Sequence, residues 1–285
     1  MDAELAAAIG RALGGALESC TAIAGGDSHD ALRVRVAGRD AFVKLGRAGD
    51  HATFVAEADG LAWLREADAL RIPEVLATGD ATQPFLALEW IEPGRGGARH
   101  EEALGLGLAA LHRAGAPAFG HTRDNVCGRV PQRNAARPDW PSFYGEQRLL
   151  PLARRARDEG TLDRGTLAAI EDVVGRLPEL CGPPEPPARL HGDLWSGNAM
   201  CDRDGAPVLV DPAAYGGHRE IDLAMMRLFG GFAPRTFSAY DECFPLAAGA
   251  SERIPLYQLY PLLVHVTMFG SGWVAGLRRA LASYA

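Results

Sequence analysis

One segment constrains this chain more than any other: the pattern HGDLWSGN, followed at a short distance by an apolar strand that ends in an aspartate. The pattern runs from His191 to Asn198 and includes Asp193, and the strand leads into Asp211. A loop, a hairpin and a strand-terminal aspartate would gather two carboxylates and one amide around a single metal site. Phosphoryl transfer needs a carboxylate beside the attacking hydroxyl and oxygen ligands for magnesium ions. We therefore predict Asp193 as the catalytic base and Asn198 and Asp211 as magnesium ligands.

The first pattern is not specific by itself. A sequence of the form H-x-D-x-x-x-x-N arises by chance in chains of this size, and a capping aspartate with a turn asparagine is its structural alternative. The second carboxylate follows the short apolar strand Val208-Leu209-Val210, and Ala206-Pro207 marks a turn before that strand. The two parts together indicate phosphoryl transfer.

The chain contains a single lysine, Lys44, among 29 lysine and arginine residues. A composition so biased toward arginine favours lysine where a compact ammonium is required. Lys44 lies in an alternating strand pattern, residues 40–45, which resembles the V-A-I-K strand of kinases, where the lysine binds the α- and β-phosphates. A helical pattern follows, and we predict its Glu57 as the ion-pair partner of Lys44. A surface role for Glu57, or pairing through Glu66 or Glu74, is the alternative.

Apolar periodicity divides the chain near residue 90. Residues 1–90 alternate strand patterns with two helical patterns and predict a small, β-rich nucleotide-binding lobe. Residues 91–285 are mainly helical in pattern and predict a larger catalytic and substrate-binding lobe. The expected class is α+β, a protein-kinase-like two-lobed fold with an ATP cleft between the lobes. In the first lobe we expect an amphipathic helix from Leu5 to Leu17 and a hairpin that turns at Gly38.

Two further segments are candidate ATP contacts. Main-chain groups of Glu89, Trp90 and Ile91 would bond adenine, because this segment precedes a Pro-Gly interruption typical of a hinge. An ordinary loop is the alternative there. Gly25 and Gly26 lie between two strand patterns, where a kinase loop covers the phosphates. Their segment matches neither G-x-G-x-x-G nor the P-loop pattern, so a plain hairpin turn is the alternative.

Charge and composition narrow the class of partner. The 285 residues are 47% hydrophobic, enough for real cores, and the net charge of -7 argues against nucleic acid. The one tight basic cluster, Arg154, Arg155 and Arg157, lies in a helical pattern that also holds acidic residues and predicts a solvated face. The most apolar segment, residues 254–275, is interrupted by Pro255 and Pro261 and predicts a core helix, not a membrane span.

Cysteine usage and the N-terminus predict a cytoplasmic location. The five cysteines are odd in number and scattered, with no C-x-x-C pair, which suits a reducing compartment. The acidic start of the chain lacks the features of a signal peptide. We expect a cytoplasmic monomer that binds neither nucleic acid nor membrane.

The acceptor is predicted to be a small molecule or a small adduct. Protein kinases carry an arginine before the catalytic aspartate that helps to hold a phosphorylated activation loop, and Gly192 occupies that position here. The short segment between Asp211 and Asp222 leaves little chain for a peptide-docking platform. We expect no activity on ordinary serine or threonine peptides.

Longer stretches resemble the fructosamine kinase (ketosamine-3-kinase) family, within the aminoglycoside phosphotransferase-like branch of the kinase fold. The stretches are HGDLWSGN at 191–198, DPAAYGGHREIDLAM at 211–225, RLFGGF at 227–232 and RIPLYQLY at 253–260. The resemblance runs essentially end to end, and its most specific parts are residues 195–197 and 215–220. It implies ATP-dependent phosphorylation of a ketoamine sugar, at the 3-hydroxyl, such as a fructosamine or ribulosamine adduct. The product would decompose and free the amine, which is deglycation.

The resemblance also implies roles for individual residues, beside those already given to the base, the magnesium ligands and the phosphate lysine. Asp222 would brace the catalytic loop from the next helix, and His191 would orient that loop without proton chemistry. Trp195 would stack on the sugar, with a packing role as the alternative, and Glu220 would hold the substrate ammonium. Many relatives carry a cysteine in the glycine-rich loop, whereas residues 27–29 contain none, which puts redox control there in doubt.

Two other functions remain open from the sequence. The nearer is another small-molecule kinase, acting on an aminoglycoside, choline or another amino alcohol. The other is a nucleotide-binding module without catalysis. The preferred sugar, and whether the amine is free or protein-borne, also stay open.

Overall fold

A five-stranded antiparallel sheet forms the first part of the chain. The structure, a computed structural model, describes residues 1–23 and 29–285. The strands are β1 (Leu17–Ile23), β2 (Asp30–Val36), β3 (Arg39–Leu45), β4 (Val75–Asp80) and β5 (Pro84–Glu89), in the order β1-β2-β3-β5-β4. β2 and β3 form the predicted hairpin, with Ala37 and Gly38 at φ of 48° and 71° in its turn. Positive φ at both positions is the backbone of a tight turn that matches strand twist.

The first helix, α1 (Ala3–Ala12), covers one face of this sheet. Asp2 caps it by accepting a hydrogen bond from the Leu5 amide at 2.7 Å. Leu5 and Ile9 pack in a cluster with sheet residues that includes Val43. The prediction of a helix through Leu17 is wrong. Helix α1 ends at Ala12 because Gly14, at φ 83°, turns the chain, and Leu17 begins β1.

The second helix, α2 (His51–Arg65), packs against the other side of the sheet through Phe54, Leu61 and Leu64. It also contacts the segment that follows Asp211. A Cβ atom at Gly60 would lie 3.3 Å from the Cβ atom of Ala214, so the helix approaches that segment closely. Helix α2 therefore links the sheet to the catalytic part of the chain.

Helices dominate the rest of the chain. They are α3 (Ala98–Ala114), α4 (Trp140–Phe143), α5 (Leu150–Asp158), α6 (Arg164–Gly175), α7 (Leu177–Leu180), α8 (Glu220–Phe229), α9 (Pro234–Cys243), α10 (Ala250–Phe269) and α11 (Val274–Leu281). A π-helical stretch, Tyr144–Leu149, joins α4 to α5, and short 3₁₀ turns span Ser196–Asn198, Gly270–Trp273 and Ala282–Tyr284. The α+β class and the kinase-like arrangement are thus as predicted, while the division at residue 90 stays a prediction.

Three short antiparallel strand pairs lie among these helices. They are β6 (Asn125–Cys127) with β7 (Val130–Gln132), β8 (Ala188–Leu190) with β11 (Tyr215–Gly217), and β9 (Ala199–Cys201) with β10 (Pro207–Leu209). Strands β8 and β9 flank the catalytic pattern, and β10 precedes Asp211. The hairpin of β9 and β10 therefore brings the catalytic pattern and Asp211 together.

The most apolar segment contributes to the buried core, as expected, but not as one helix. Helix α10 ends at Phe269, Gly270 has a φ of 80°, and a 3₁₀ turn leads into α11. Among the helices in the described part of the chain, none has the length and apolar character that crossing a bilayer requires.

Candidate active site

The loop between β8 and β9, which carries the predicted base Asp193, is held by Asp222, in the first turn of α8. Its carboxylate accepts hydrogen bonds from the backbone N–H groups of His191, at 2.8 Å, and Gly192, at 2.9 Å. Gly192 has a φ of 82°, and a Cβ atom there would lie 2.1 Å from the carbonyl oxygen of Ala213. Glycine is therefore the residue that this close approach accepts.

His191 ties the loop to the strand that precedes Asp211. Its Nδ1 accepts the backbone N–H of Asp193 at 3.3 Å, so its Nε2 carries the proton and donates to the carbonyl of Val210 at 2.9 Å. Burial lowers the pKa of His191, although the charge of Asp222 opposes this. The ring is thus a neutral structural link, which agrees with an orienting role.

Asp222 has a second partner that the sequence reasoning missed. Nε2 of His112, in the last turn of α3, lies 3.2 Å from Asp222 Oδ2, and His112 Nδ1 lies 2.8 Å from the hydroxyl of Tyr240. Burial raises the pKa of Asp222, but hydrogen bonds and the His112 side chain lower it by more, to below its usual range. The carboxylate therefore stays an ionised acceptor for the loop. No local pattern around His112 signals this contact.

Asn198 contacts both the predicted base, Asp193, and the other predicted magnesium ligand, Asp211. Its Nδ2 donates to the carbonyl of Asp193 at 2.8 Å, and lies 3.4 Å from Asp193 Oδ2 and 3.3 Å from the carbonyl oxygen of Asp211. Because the amide nitrogen is committed to these oxygens, Oδ1 is the atom of Asn198 suited to a cation. Burial and then the charge of Asp211 raise the pKa of Asp193 to about 7.

Lys44 lies between two carboxylates from different parts of the chain. Its Nζ is 2.6 Å from Glu57 Oε1, on α2, and 2.7 Å from Asp211 Oδ1. Burial by itself would lower the pKa of Lys44. The two neighbouring negative charges raise it by more, so that the pKa lies above its usual range. Burial raises the pKa of Glu57 while the charge of Lys44 opposes this, and at 2.6 Å the pair is ionic. Of the alternatives, Glu66 lies beside Arg189 instead.

Asp211 combines an unusual backbone conformation with its contact to Lys44. Its φ is 55°, in the left-handed region that glycine occupies readily and that, among other residues, asparagine and aspartate tolerate better than most. About half of the side chain, 46%, stays exposed. An exposed carboxylate beside the buried lysine can take a further cationic partner.

A cavity of about 490 Å³ runs along these groups. Its lining includes Lys44, Glu57, Asp193, Asn198 and Asp211. The structure thus brings together the predicted base, both predicted magnesium ligands, and the predicted phosphate-binding lysine with its partner.

Trp195 also lines this cavity. Its indole folds over Gly197, where a Cβ atom would lie 2.2 Å from the ring. The side chain is 37% exposed, which leaves one surface of the ring open to the cavity. A stacking role for Trp195 therefore stays a prediction with suitable geometry.

The predicted adenine contacts lie outside the lining of this cavity. Glu89 ends β5, where its N–H donates to the carbonyl of Glu74 at 2.8 Å and its carboxylate pairs with Arg71. The indole of Trp90 donates to Glu92, and Ile91 is buried. Adenine binding by this segment stays a prediction. The predicted phosphate contacts at positions 25 and 26 lie outside the described residues.

The structure places Glu220 outside the cavity lining, and its predicted binding of the substrate ammonium stays a prediction. Its carboxylate is buried and forms a bidentate ion pair with Arg253, with Nη2 at 2.6 Å and Nε at 3.0 Å. Because both oxygens are occupied by a neighbouring helix, Glu220 stabilises the packing of α8 on α10.

The hairpin of β6 and β7 supplies residues that sequence reasoning missed. Cys127 lines the cavity, and its thiol lowers the pKa of Asp193, against the larger effects of burial and of the charge of Asp211. Burial raises the pKa of Cys127 well above its usual range, so the thiol stays protonated. Asn125 and Gln132 hold this hairpin by donating to the carbonyls of Ala214 and Ala213, each at 3.0 Å. These isolated polar residues form no recognisable motif.

Comparison with known proteins shows one consistent family. A family model described as fructosamine kinase matches residues 1–284. A probable ketoamine kinase of Enterococcus faecium is 37% identical over 92% of this chain and 94% of that protein. The chloroplastic protein-ribulosamine 3-kinase of Arabidopsis thaliana is 36% identical over 85% of this chain and 75% of that protein.

Solved structures agree with these relatives. A crystal structure assigned as a fructosamine-3-kinase from Thermobifida fusca superposes with a TM-score of 0.90 and 41% identity, over 98% of this chain and 97% of the other. An aminoglycoside phosphotransferase, APH(4)-Ia, superposes with a TM-score of 0.64 over 95% of each chain. At 16% identity, that second likeness shows a shared fold alone.

Proposed function

Because the chain belongs to the fructosamine kinase family, we propose that Asp193 is the base of an ATP-dependent ketoamine kinase and that the acceptor is the 3-hydroxyl of the ketoamine sugar. The observation that carries this proposal is one cavity lined by Lys44, Asp193, Asn198 and Asp211. Phosphoryl transfer depends on positioning and charge neutralisation, and these side-chain types supply both. Residues 1–90 would form the nucleotide-binding lobe and residues 91–285 the catalytic lobe.

Each side chain has a distinct task in this proposal. Lys44 binds the α- and β-phosphates, and Glu57 keeps its ammonium in place. The acceptor oxygen attacks the γ-phosphorus as the bond to the bridging oxygen of ADP breaks, and the acceptor proton passes to Asp193. A pKa of about 7 suits a base that works near neutral pH. Asn198 donates to that carboxylate, while His191 accepts the backbone N–H of Asp193 and so holds the residue in place.

The donor set fits magnesium. Asp211 supplies a carboxylate and Asn198 an amide oxygen, and Mg²⁺ typically takes one or two such protein ligands together with substrate phosphates. Among residues 1–23 and 29–285, no group of three His, Cys, Asp or Glu side chains forms a complete metal site. A metal that arrives with the nucleotide is consistent with that finding. When bound, Mg²⁺ would neutralise charge on the phosphates.

The acceptor class follows from the family. A relative is named protein-ribulosamine 3-kinase, so a ribulosamine or a fructosamine, free or on a protein, is the expected acceptor. Phosphorylation at O3 makes the adduct prone to decompose and release the amine. Because all five cysteines are free thiols and one chain supplies the whole described site, we also propose a cytoplasmic monomer.

The proposal is tested by offering the purified protein MgATP with ribulosamine and fructosamine adducts of lysine. Release of ADP and a product heavier by one phosphoryl group are expected with at least one adduct. Phosphorus and carbon NMR of the product should place the phosphate on O3. An aminoglycoside, choline and a serine-containing peptide serve as comparison acceptors, and Asp193→Asn excludes a contaminating kinase. Turnover of the aminoglycoside or choline without turnover of either adduct would overturn the proposal.

A further inference from the structure

The cavity that contains Asp193 is lined by two chemically different sets of residues. One set contains the ionisable groups of the proposed reaction. The other set is apolar and largely aromatic, and no catalytic role in the proposed reaction accounts for it. Its lining residues are Phe229, Val264, His265, Met268, Phe269 and Trp273, which we call the aromatic wall.

The rings of the aromatic wall touch one another. The ring centroids of His265 and Trp273 are 4.4 Å apart, those of Phe229 and His265 are 4.8 Å apart, and those of His265 and Phe269 are 5.4 Å apart. His265 and Phe269 are four positions apart and share a face of α10, and the 3₁₀ turn after Gly270 brings Trp273 beside them. Three chain segments thus build one continuous aromatic surface.

Part of this aromatic surface is more exposed to solvent than large apolar side chains usually are. Phe269 is 59% exposed, the most of any large apolar side chain among the described residues, and Trp195 on the same cavity is 37% exposed. Leu106 is comparably exposed, at 42%, but it lies elsewhere, on α3. Apolar side chains left open around a cavity mark a place where a ligand covers them.

The electrostatic character of the wall favours a cation. Aromatic ring faces are electron-rich and attract an ammonium group. Of the described residues that line the cavity, Lys44 is the only lysine or arginine. Its ammonium lies between the carboxylates of Glu57 and Asp211. His265 donates from Nδ1 to the carbonyl of Pro261 at 2.8 Å, and burial lowers its pKa, so its ring is neutral and leaves Nε2 as an acceptor.

The chemistry of a ketoamine matches this arrangement. In such an adduct the amine nitrogen lies four bonds from O3, through C3, C2 and C1. If O3 is held at Asp193, the nitrogen and the first atoms of its substituent must lie within the same cavity. That nitrogen is a secondary amine and is protonated at neutral pH. It therefore presents a cation that is directly attached to whatever apolar group the amine carries.

We propose that the aromatic wall binds the amine half of the ketoamine, with the rings contacting the protonated nitrogen and its apolar substituent. This inference rests on the proposed function and adds a substrate class to it. The chain would prefer ketoamines of apolar, uncharged amines over ketoamines whose amine carries a carboxylate near the nitrogen. A carboxylate near the nitrogen would lie against the electron-rich faces of the rings, which repel it. The carboxyl groups of Asp193 and Asp211 lie in the same cavity and add to this repulsion.

The test compares ketoamines that share one sugar and differ only in the amine. Adducts of hexylamine and benzylamine are expected to have kcat/KM values roughly 10-fold or more above adducts of glycine and γ-aminobutyrate, the range that apolar pockets and cation–π contacts provide. Equal kcat/KM across the series would overturn the inference while leaving the proposed function intact. Failure to phosphorylate any ketoamine would instead overturn the proposed function, and the inference with it.

Variants of Phe269 locate the effect on the wall. Because this side chain is mostly exposed, Phe269→Ala should fold normally, raise the KM of the benzylamine adduct about 5-fold or more, and change the KM of ATP less than about 2-fold. Phe269→Leu keeps apolar contact and removes the ring, so it should recover only part of the loss. Leu106→Ala, an equally apolar truncation outside the cavity, is the matched control. An unchanged KM in Phe269→Ala, or an equal change in Leu106→Ala, would contradict the inference.

Discussion

Lys44 Nζ lies 2.7 Å from Oδ1 of Asp211, although the two residues belong to distant segments of the chain. The contact joins strand β3 of the sheet to the end of the strand that follows the catalytic loop. Glu57 completes the arrangement at 2.6 Å from the other side. The proposed phosphate-binding residue and the proposed metal ligand are therefore held at a common place.

Replacing Lys44 by arginine should reduce kcat by about 100-fold or more even though the charge is unchanged, because a planar guanidinium does not replace a compact ammonium. The buried ammonium of Lys44 contacts both Glu57 and Asp211, a pair of contacts that a planar guanidinium would not reproduce. Steady-state kinetics with the best ketoamine measure the effect. Arg39→Lys, the reverse exchange at an exposed position of the same strand, is the control and should stay near wild type. Full activity of Lys44→Arg would remove the special role of this lysine.

Asp222→Asn should destabilise the protein by about 3 kcal/mol and also lower activity, because the change removes a buried carboxylate that accepts from side-chain and backbone partners. His191, Gly192 and His112 would each lose part of their hydrogen bonding. Urea unfolding measures the free energy of unfolding. Asp172→Asn, on an exposed surface of α6, is the matched control. A difference below about 0.5 kcal/mol between the two variants would show that Asp222 does not brace the loop.

Gly197→Ala should impair acceptor binding more than nucleotide binding. The added methyl group would lie 2.2 Å from the indole of Trp195, so that ring must leave its position in the cavity. We expect a KM for the ketoamine that is about 10-fold higher, with the KM of ATP within about 2-fold of wild type, on the scale of a lost packing contact in a binding pocket. Gly175→Ala is the control because a Cβ atom there meets nothing within 4 Å. Equal KM values for the ketoamine in both variants would mean that Trp195 only packs.

Stability should fall as the pH is lowered from about 6.5 to about 4 because of His218. Burial lowers the pKa of His218 to about 4, with its ring stacked on Tyr257 at 5.1 Å. Below the ordinary pKa the unfolded chain binds a proton that the folded chain does not, so unfolding becomes more favourable. The loss should reach up to about 3 kcal/mol, at about 1.4 kcal/mol for each unit of pKa difference.

Urea unfolding across this pH range checks the prediction for His218. His218→Phe retains an aromatic ring at that position and removes the titration. Its free energy of unfolding should therefore depend less on pH than that of the wild type. Between pH values of about 6.5 and about 4 the variant should lose about 3 kcal/mol less than the wild type. Identical pH dependence in the two proteins would assign the acid sensitivity to other groups.

Much of the site could be predicted because residues close to one another in the sequence form it. The spacing of Asp193, Asn198 and Asp211 follows from a loop and one short hairpin, so neighbouring residues are enough to bring them together. The lysine strand and the helix after it are likewise adjacent in the chain. The family was recognisable for the same reason, since its most specific stretches surround the catalytic loop.

The parts that could not be predicted depend on contacts between distant elements. Glu220 looked available for substrate, but its partner Arg253 lies on another helix and no pattern links the two. His112 reaches Asp222 from α3 in the same way. The aromatic wall is assembled from the end of α8, α10 and the turn after it, and its residues read along the chain as ordinary core. The early end of α1 is different, because Gly14-Gly15 is a local stop signal.

The most direct test of the account is single-turnover phosphoryl transfer by Asp193→Asn, with the dissociation constant of MgATP measured on the same protein. Asparagine keeps the shape of the side chain and cannot accept the proton. The account predicts a rate constant lower by about 100-fold to 10,000-fold, the range for loss of a general base, with nearly unchanged MgATP affinity. A variant that transfers the phosphoryl group within about 3-fold of the wild-type rate would contradict it, because the base would then lie elsewhere.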